Sequence, residues 1–184
     1  MRHPSPVYLI SNVVAEEGVY RMKRYWQWGS VLVCMAVIFY FSSQPYHKQD
    51  MRPSLNKIIP DSFVEEYFGD VVIPYGKDRV SVQNNGPEGF VEFVIRKGAH
   101  VTIYAILGWL MSCALAPIRS IRRYHVFAVI LFCCLYAISD EIHQFYTGDR
   151  TPLVKDVVLD TAGACLGLAI HWLPLRRREL RSAY

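Results

Sequence analysis

The sequence predicts an all-α polytopic membrane protein, a four-transmembrane-helix bundle with one long extracytoplasmic loop. Two observations carry this. First, 52% of the 184 residues are hydrophobic and only 20% are charged, enough for one membrane domain and little else. Second, the apolar residues collect in four stretches, Tyr25–Ser43, His100–Ala116, Tyr124–Ser139 and Val157–Leu173. Each approaches the roughly 20 apolar residues needed to cross hydrocarbon. Helices buried in a soluble bundle rarely stay apolar all round at this length.

Residues 1–24 form a segment ahead of the first span. Val7–Ala15 is too short to cross, and no small-residue cleavage site follows span one, which argues against a signal peptide. Met22-Lys-Arg-Tyr-Trp makes an ordinary start for a bacterial membrane protein. Ala15-Glu-Glu-Gly18 can be encoded by a purine-rich, ribosome-binding stretch just upstream of it. The expectation is that Met22 is the native start and that residues 1–21 are not native.

The transmembrane domain then occupies residues 25–173. Its long outer loop, residues 44–96, is punctuated by Pro45, Pro53, Pro60, Pro74 and Pro87, which exclude one continuous helix. Asp61–Phe68 reads as a short amphipathic helix with Phe63, Val64, Tyr67 and Phe68 on its apolar side. It is expected at the membrane surface or as a lid on the pocket described below. Asn84-Asn-Gly86 signals a turn, and from Glu88 the chain should turn helical and run into span two. Span three is the shortest, with Asp140–Gln144 continuing it as helix. Residues 174–184 form a basic tail.

Orientation follows from lysine and arginine placement. Arg21, Lys23 and Arg24 precede span one, Arg119, Arg122 and Arg123 link spans two and three, and Arg176, Arg177, Arg178 and Arg181 follow span four. With four spans these segments share one side, cytoplasmic by the positive-inside rule, and the long loop lies outside. The chain is therefore expected in the cell membrane as a multi-pass protein with both termini cytoplasmic. Tyr25, Trp26, Trp28 and Trp172 fit an inner aromatic belt. The net charge of +4 serves topology: no basic patch interleaved with aromatics points to nucleic acid, and the partner implied is the lipid bilayer. Cys34, Cys113, Cys133, Cys134 and Cys165 all fall in spans, as packing residues with no disulfide or zinc spacing.

Polar residues that enter the spans nearly all do so at the outer face. Ionisable groups at a span's centre cost roughly 2.5–3.5 kcal/mol on insertion scales and usually mark function. Positions three or four apart share a helix face. Tyr40, Ser43, Gln44 and His47 line up in span one, and Lys97, His100 and Tyr104 in span two. Asp140, His143 and Gln144 align in span three, with Glu141 rotated about 100° away. Asp156, Asp160, Gly163 and Gly167 form a stripe in span four, whose small residues allow close helix approach. These faces should meet in one outward polar pocket.

These residues resemble a family. Phe41-Ser-Ser-Gln44, Lys97-x-x-His100-x-x-x-Tyr104, Asp140-Glu-x-His-Gln144, Arg150 and Asp156-x-x-x-Asp160-x-x-Gly163 are similar to the signature of the VanZ-like membrane proteins. The resemblance covers roughly Trp26 to Leu173. It implies a link to reduced susceptibility to teicoplanin-type lipoglycopeptides, although relatives also occur outside resistance clusters. It does not settle an activity. The outer loop is long for the family pattern, which leaves room for a ligand or partner specific to this member.

Several chemistries fit the residues. His100, His143, Asp140 and Glu141 are the catalytic candidates, since histidine titrates near neutrality. Ser43, Gln44, Lys97, Tyr104, Gln144, Arg150, Asp156 and Asp160 are the candidates for ligand binding, with Lys97, Arg150 and Lys155 facing an anion. The histidines and carboxylates could supply donors to a divalent metal, but no HExxH-type spacing supports that, and no metal ligand is assigned. Ser42 or Ser43 as nucleophile lacks a strained elbow. The bland alternative is a satisfied hydrogen-bond and ion-pair network, with Lys97 or Arg150 against Asp140, Asp156 or Asp160. No motif names a cofactor. The leading expectation is a protein that binds or acts on a lipid-linked or cell-wall-related anionic ligand at the outer leaflet. The alternatives are a non-enzymatic scaffold altering antibiotic access and a proton-coupled transporter; the inner half lacks the polarity a transport path needs.

Overall fold

The computed structural model describes residues 6–45, 49–76, 78–147 and 154–182, with side chains between 17 and 173 except at 78 and 147. His47 and Arg150, both expected near the pocket, lie outside the described residues. In chain order the elements are α1 (Pro6–Ser42), α2 (Arg52–Ile58), α3 (Asp61–Phe68), β1 (Val72–Tyr75), β2 (Asp78–Ser81), α4 (Val82–Leu115), a 3-10 turn (Arg119–Tyr124), α5 (His125–Thr147) and α6 (Val154–Ser182). α1, α4, the turn with α5, and α6 are long and apolar enough to cross a membrane. The all-α polytopic reading therefore holds. Residues 6–21 continue α1 as helix without a break ahead of the expected span.

α4 is the central helix and packs on all three other spans, most extensively on α6. Glycine explains that closeness. A β-carbon on Gly163 would sit 2.6 Å from the Val101 carbonyl oxygen, and one on Gly167 only 1.8 Å from that of Ala105. From the other side, one on Gly108 would sit 2.3 Å from the Ala164 carbonyl oxygen. The two backbones are in contact, as small-residue helix pairs in membranes are. Both helices run from the same face, so residues about 60 apart in sequence lie side by side.

Each span buries one stripe. Val31, Cys34 and Ile38 on α1, Tyr104, Leu107 and Met111 on α4, Val129, Cys133 and Ala137 on α5, and Ala164 and Leu168 on α6 form the core. Extended by one turn toward the outer face, these stripes reach Ser42, His100, Asp140 or Glu141, and Asp160. The polar residues thus cap the core on its own packing faces. Across the bundle, Tyr136 donates its hydroxyl to the Met35 carbonyl at 2.7 Å, which ties α5 to α1.

The outer segment is more structured than its sequence indicated. Ser81 caps α4 by accepting from the Asn84 amide at 3.2 Å. Gly86 interrupts the helix at φ 74°, a conformation that glycine adopts at little cost. Pro87 then opens the regular part, as its fixed φ favours, so the span effectively starts where the turn signal placed it. The antiparallel hairpin of β1 and β2 pairs Val72 with Ser81 and Tyr75 with Asp78 and was not foreseen, nor was α2. α3 forms over the expected residues. Val64 is 2% exposed, packed with Val80, Val82 and Phe90, so α3 docks on the outer part of α4 and does not cover the pocket. Phe63 and Tyr67 face outward against each other, with ring centroids 4.7 Å apart.

Gly167→Val should therefore be strongly destabilising, beyond the roughly 1–3 kcal/mol typical of overpacking, because backbone cannot yield as a side chain can. Gly98, which has nothing within 4 Å of an added β-carbon, should accept alanine with unchanged or slightly raised stability. Thermal unfolding of the two variants in detergent, compared with the unaltered chain, measures both.

Candidate functional site

The ends of the spans on the side of the long loop carry two neighbouring clusters. In the first, His100 on α4 turns Nδ1 toward Asp160 on α6, 3.3 Å from Oδ1 and 3.5 Å from Oδ2. That contact favours the tautomer with its proton on Nδ1, leaving Nε2 as the ring atom a ligand would meet. Asp160 is 1% exposed, and a carboxylate so deeply placed needs a charged or hydrogen-bonding partner. On α5, Asp140 accepts from the Gln144 amide at 3.1 Å and from the Ser42 hydroxyl. Ser42 also lies 3.4 Å from Nδ1 of His143, whose ring stacks on Phe39 with centroids 4.3 Å apart. Tyr104 lies below, 0% exposed, and its hydroxyl has no hydrogen-bond partner among the described residues.

The second cluster joins the hairpin to the bundle. Lys97 donates to Asp156 at 2.5 Å, and both side chains are largely buried. Tyr75 on β1 donates its phenol to the same carboxylate and lays its ring under the Lys97 ammonium, 4.6 Å from the centroid. Burial, then the bond to Asp156, pushes the Tyr75 phenol well above its ordinary range, so it stays a donor at any physiological pH. Lys155 reaches the Pro74 carbonyl at 3.4 Å. Glu141 is buried and within electrostatic reach of Tyr75, as Asp160 is.

A third set of charges lies where the loop returns over α4. Arg52 bridges Asp50 at 3.0 Å and buried Glu92 at 3.3 Å, and Arg96 pairs with Glu92 one turn away. The Arg52 guanidinium holds the Asp50 carboxyl below the usual carboxylate range. Any stability from that contact is present above the ordinary carboxylate pKa and fades as pH falls through the lowered one.

Between α1, α4 and α5 opens a cleft of about 690 Å³, within the range of ligand pockets. Ser42, His100, Tyr104, Asp140 and Gln144 border it, and Gln49, Asp50, Met51 and Arg96 stand at its mouth. The loop's contribution to the cap is thus Gln49–Met51. Lys97, Asp156 and Asp160 are not on the cleft wall; the first two form the hairpin latch and the third stands behind His100. Ser43 is not on the cleft wall: its hydroxyl donates to the Phe39 carbonyl at 2.7 Å, and Ser42 is the serine that borders the cleft. Gln44 packs at the helix end, where its carbonyl lies 3.5 Å from Nε2 of Gln49, and Tyr40 is exposed.

Tyr75 and Glu92 were missed from sequence. Glu92 carried a readable signal, four residues before Arg96 and so one turn from it. Among the described residues no group of three or more histidine, cysteine or acidic side chains is arranged to hold a metal. At the opposite end of the bundle, Cys113 Sγ lies 3.3 Å from Nδ1 of His171, and His125 Nε2 bonds the Ser112 carbonyl at 3.0 Å.

Lys97→Met should strand Asp156 and destabilise the protein by roughly 3–5 kcal/mol, the cost of breaking a buried pair. The double variant Lys97→Met/Asp156→Leu should recover much of that loss. Thermal unfolding of the single and double variants gives the comparison; equal destabilisation in both would mean the pair is not the latch.

No curated protein and no solved structure matches the chain significantly. A family model described as VanZ/LLP1 matches residues 28–175, most of the chain. The match reaches all four spanning helices and takes in every residue of both clusters, so the chain belongs to the VanZ/LLP1 family.

Proposed function

We propose that this VanZ-family membrane protein binds, at an outward-facing polar pocket, a lipid-linked or cell-wall-related anionic ligand, and so changes susceptibility to teicoplanin-type glycopeptides. One observation supports this most. Ser42, His100, Tyr104, Asp140 and Gln144 converge from three helices on the wall of an open cleft. A network built only to hold helices together would be expected to close on itself. This one keeps hydrogen-bonding atoms at a concave surface large enough for a ligand.

The chemistry on offer is mixed. The Gln144 amide and the Arg96 guanidinium can donate to anionic oxygens, and the Asp140 carboxylate and the His100 Nε2 of the tautomer above can accept from ligand hydroxyls. Asp160 orients His100, which makes that histidine the group best placed for proton transfer should the ligand be a substrate. Binding alone suffices for the proposed role.

The outward orientation rests on the placement of lysine and arginine. Ser54→Cys, in the long loop, should react with a membrane-impermeant thiol reagent on intact cells, and Ser120→Cys should react only after lysis. The reverse pattern would put the pocket on the cytoplasmic side and end this reading.

For the pocket itself, His100→Ala and Asp160→Asn should abolish a teicoplanin-susceptibility phenotype while the protein still accumulates in the membrane. Drug titration beside immunoblots of membrane fractions measures both quantities. Phenotype lost only in step with abundance would make the cluster structural, and the proposal would fail.

A further inference from the structure

The cleft does more than present polar groups. Below His100 it continues between α1 and α4 as an apolar gutter walled by Val37, Ile38, Phe41, Ile103 and Ile106. Its rim on α4 runs through Ile95, Ala99, Thr102 and Ile106, spaced so that they share one helix face. Those four positions are exposed, as are Val37 and Phe41 across the gap. The gutter therefore opens sideways, toward the surroundings of two membrane-spanning helices, which are hydrocarbon. Along α4 its wall changes from Ile106 and Ile103 through Tyr104 and His100 to Arg96 at the mouth. That order, apolar to hydrogen-bonding to charged, is the order of an amphiphile from tail to headgroup.

Resting on the binding reading above, we infer that the ligand is a membrane-resident anionic lipid that enters laterally between α1 and α4. Its hydrocarbon tail lies in the gutter, and its headgroup reaches Ser42, His100, Asp140 and Gln144. Two observations favour a lipid over a protein helix. Helices associate in membranes through small residues that let backbones touch, and this chain places Gly108, Gly163 and Gly167 against the α4–α6 seam. The gutter wall is instead branched and aromatic at Val37, Ile38, Phe41, Ile103 and Ile106, with the small Ala99 and Thr102 at its rim. Its polar end also contains a fully buried Tyr104 hydroxyl without a partner among the described residues, a cost that a headgroup oxygen or an accompanying water would relieve.

The test uses a phosphatidylglycerol carrying a diazirine in one acyl chain, diluted into phosphatidylethanolamine–phosphatidylglycerol vesicles holding the full-length protein. After irradiation, adducts are mapped by peptide mass spectrometry. They should concentrate on residues 37–41 and 103–106, several-fold above Leu166 and Ile170, exposed apolar positions of α6. Ile106→Trp, which fills the gutter from an exposed position, should lower the gutter adducts several-fold and leave those on α6 unchanged. Uniform labelling of all exposed apolar positions would overturn the inference. So would gutter adducts that persist in Ile106→Trp, or their loss to excess soluble glycerol phosphate, which would assign the site to a free phosphate ester. Disulfide-linked dimers of Ile106→Cys would assign the gutter to a second copy. His100→Ala separates the two proposals. Loss of adducts with an intact drug phenotype leaves the lipid site standing and removes its role in susceptibility; undiminished adducts with a lost phenotype, in protein that still accumulates, leave the role of the pocket standing and remove the lipid headgroup from it.

Discussion

The contact between α4 and α6 fixes everything above it. Gly163 and Gly167 bring the α6 backbone against the carbonyls of Val101 and Ala105, and Gly108 does the same toward Ala164. With no hydrophobic drive between helices inside lipid, such close packing is what holds two spans together. It also locks their relative height. The same offset of about 60 residues that joins the glycines to α4 places His100 beside Asp160 and Lys97 beside Asp156. A shift by one turn, about 5.4 Å, would pull both carboxylates away from their partners at once.

That register explains how a bundle of membrane-spanning helices tolerates acidic groups at the end that carries the long loop. Asp160 and Asp140 sit on the packing stripes themselves, Asp160 behind His100 and Asp140 at the cleft wall. Each is met from another helix or from one turn away: Asp160 by His100, Asp140 by Ser42 and Gln144. The core is satisfied in this sense only as an assembled unit, since no single helix supplies both halves of the Ser42–Asp140 or His100–Asp160 contact. The hairpin extends the same logic outward. Tyr75 adds a second donor to Asp156 and shields Lys97, so the extramembrane segment is anchored to the seam and not merely draped over it.

How far the sequence reveals this depends on the contrast between faces. The four spans, the continuation of helix through Asp140–Gln144, the turn at Gly86 and the glycine stripe were all legible, because length, polarity and small-residue spacing leave marks that do not depend on partners. Ser42 and Ser43 were not separable. A soluble helix would reveal its inward side through amphipathicity, but α1 is apolar all round, and its rotation is set only by Val31, Cys34 and Ile38 meeting the bundle. Ser43 then returns its hydroxyl to the Phe39 carbonyl, a local bond open to serine in any helix. The hairpin escaped for a different reason. Each strand has only four residues, and Pro74 within the first argued against a strand, although an edge position permits it.

The division of labour among charges bears directly on ligand chemistry. Lys97, Arg52 and Arg96, among the described residues, each face a carboxylate within salt-bridge distance, so these three cations arrive already paired. On the proposed reading, an anionic headgroup meets no surplus charge from these three. It must compete with Glu92 for Arg96, or use uncharged donors such as the Gln144 amide. Competition with a buried acid costs the desolvation of whichever anion is left alone, which discriminates against weakly bound ions. Hydrogen bonds from uncharged donors, by contrast, select by position and shape. A site of this kind gains affinity from the apolar part of its ligand and uses its polar end to choose among headgroups. That is the combination expected where the ligand is already concentrated in the bilayer and the protein has only to recognise which lipid it has met.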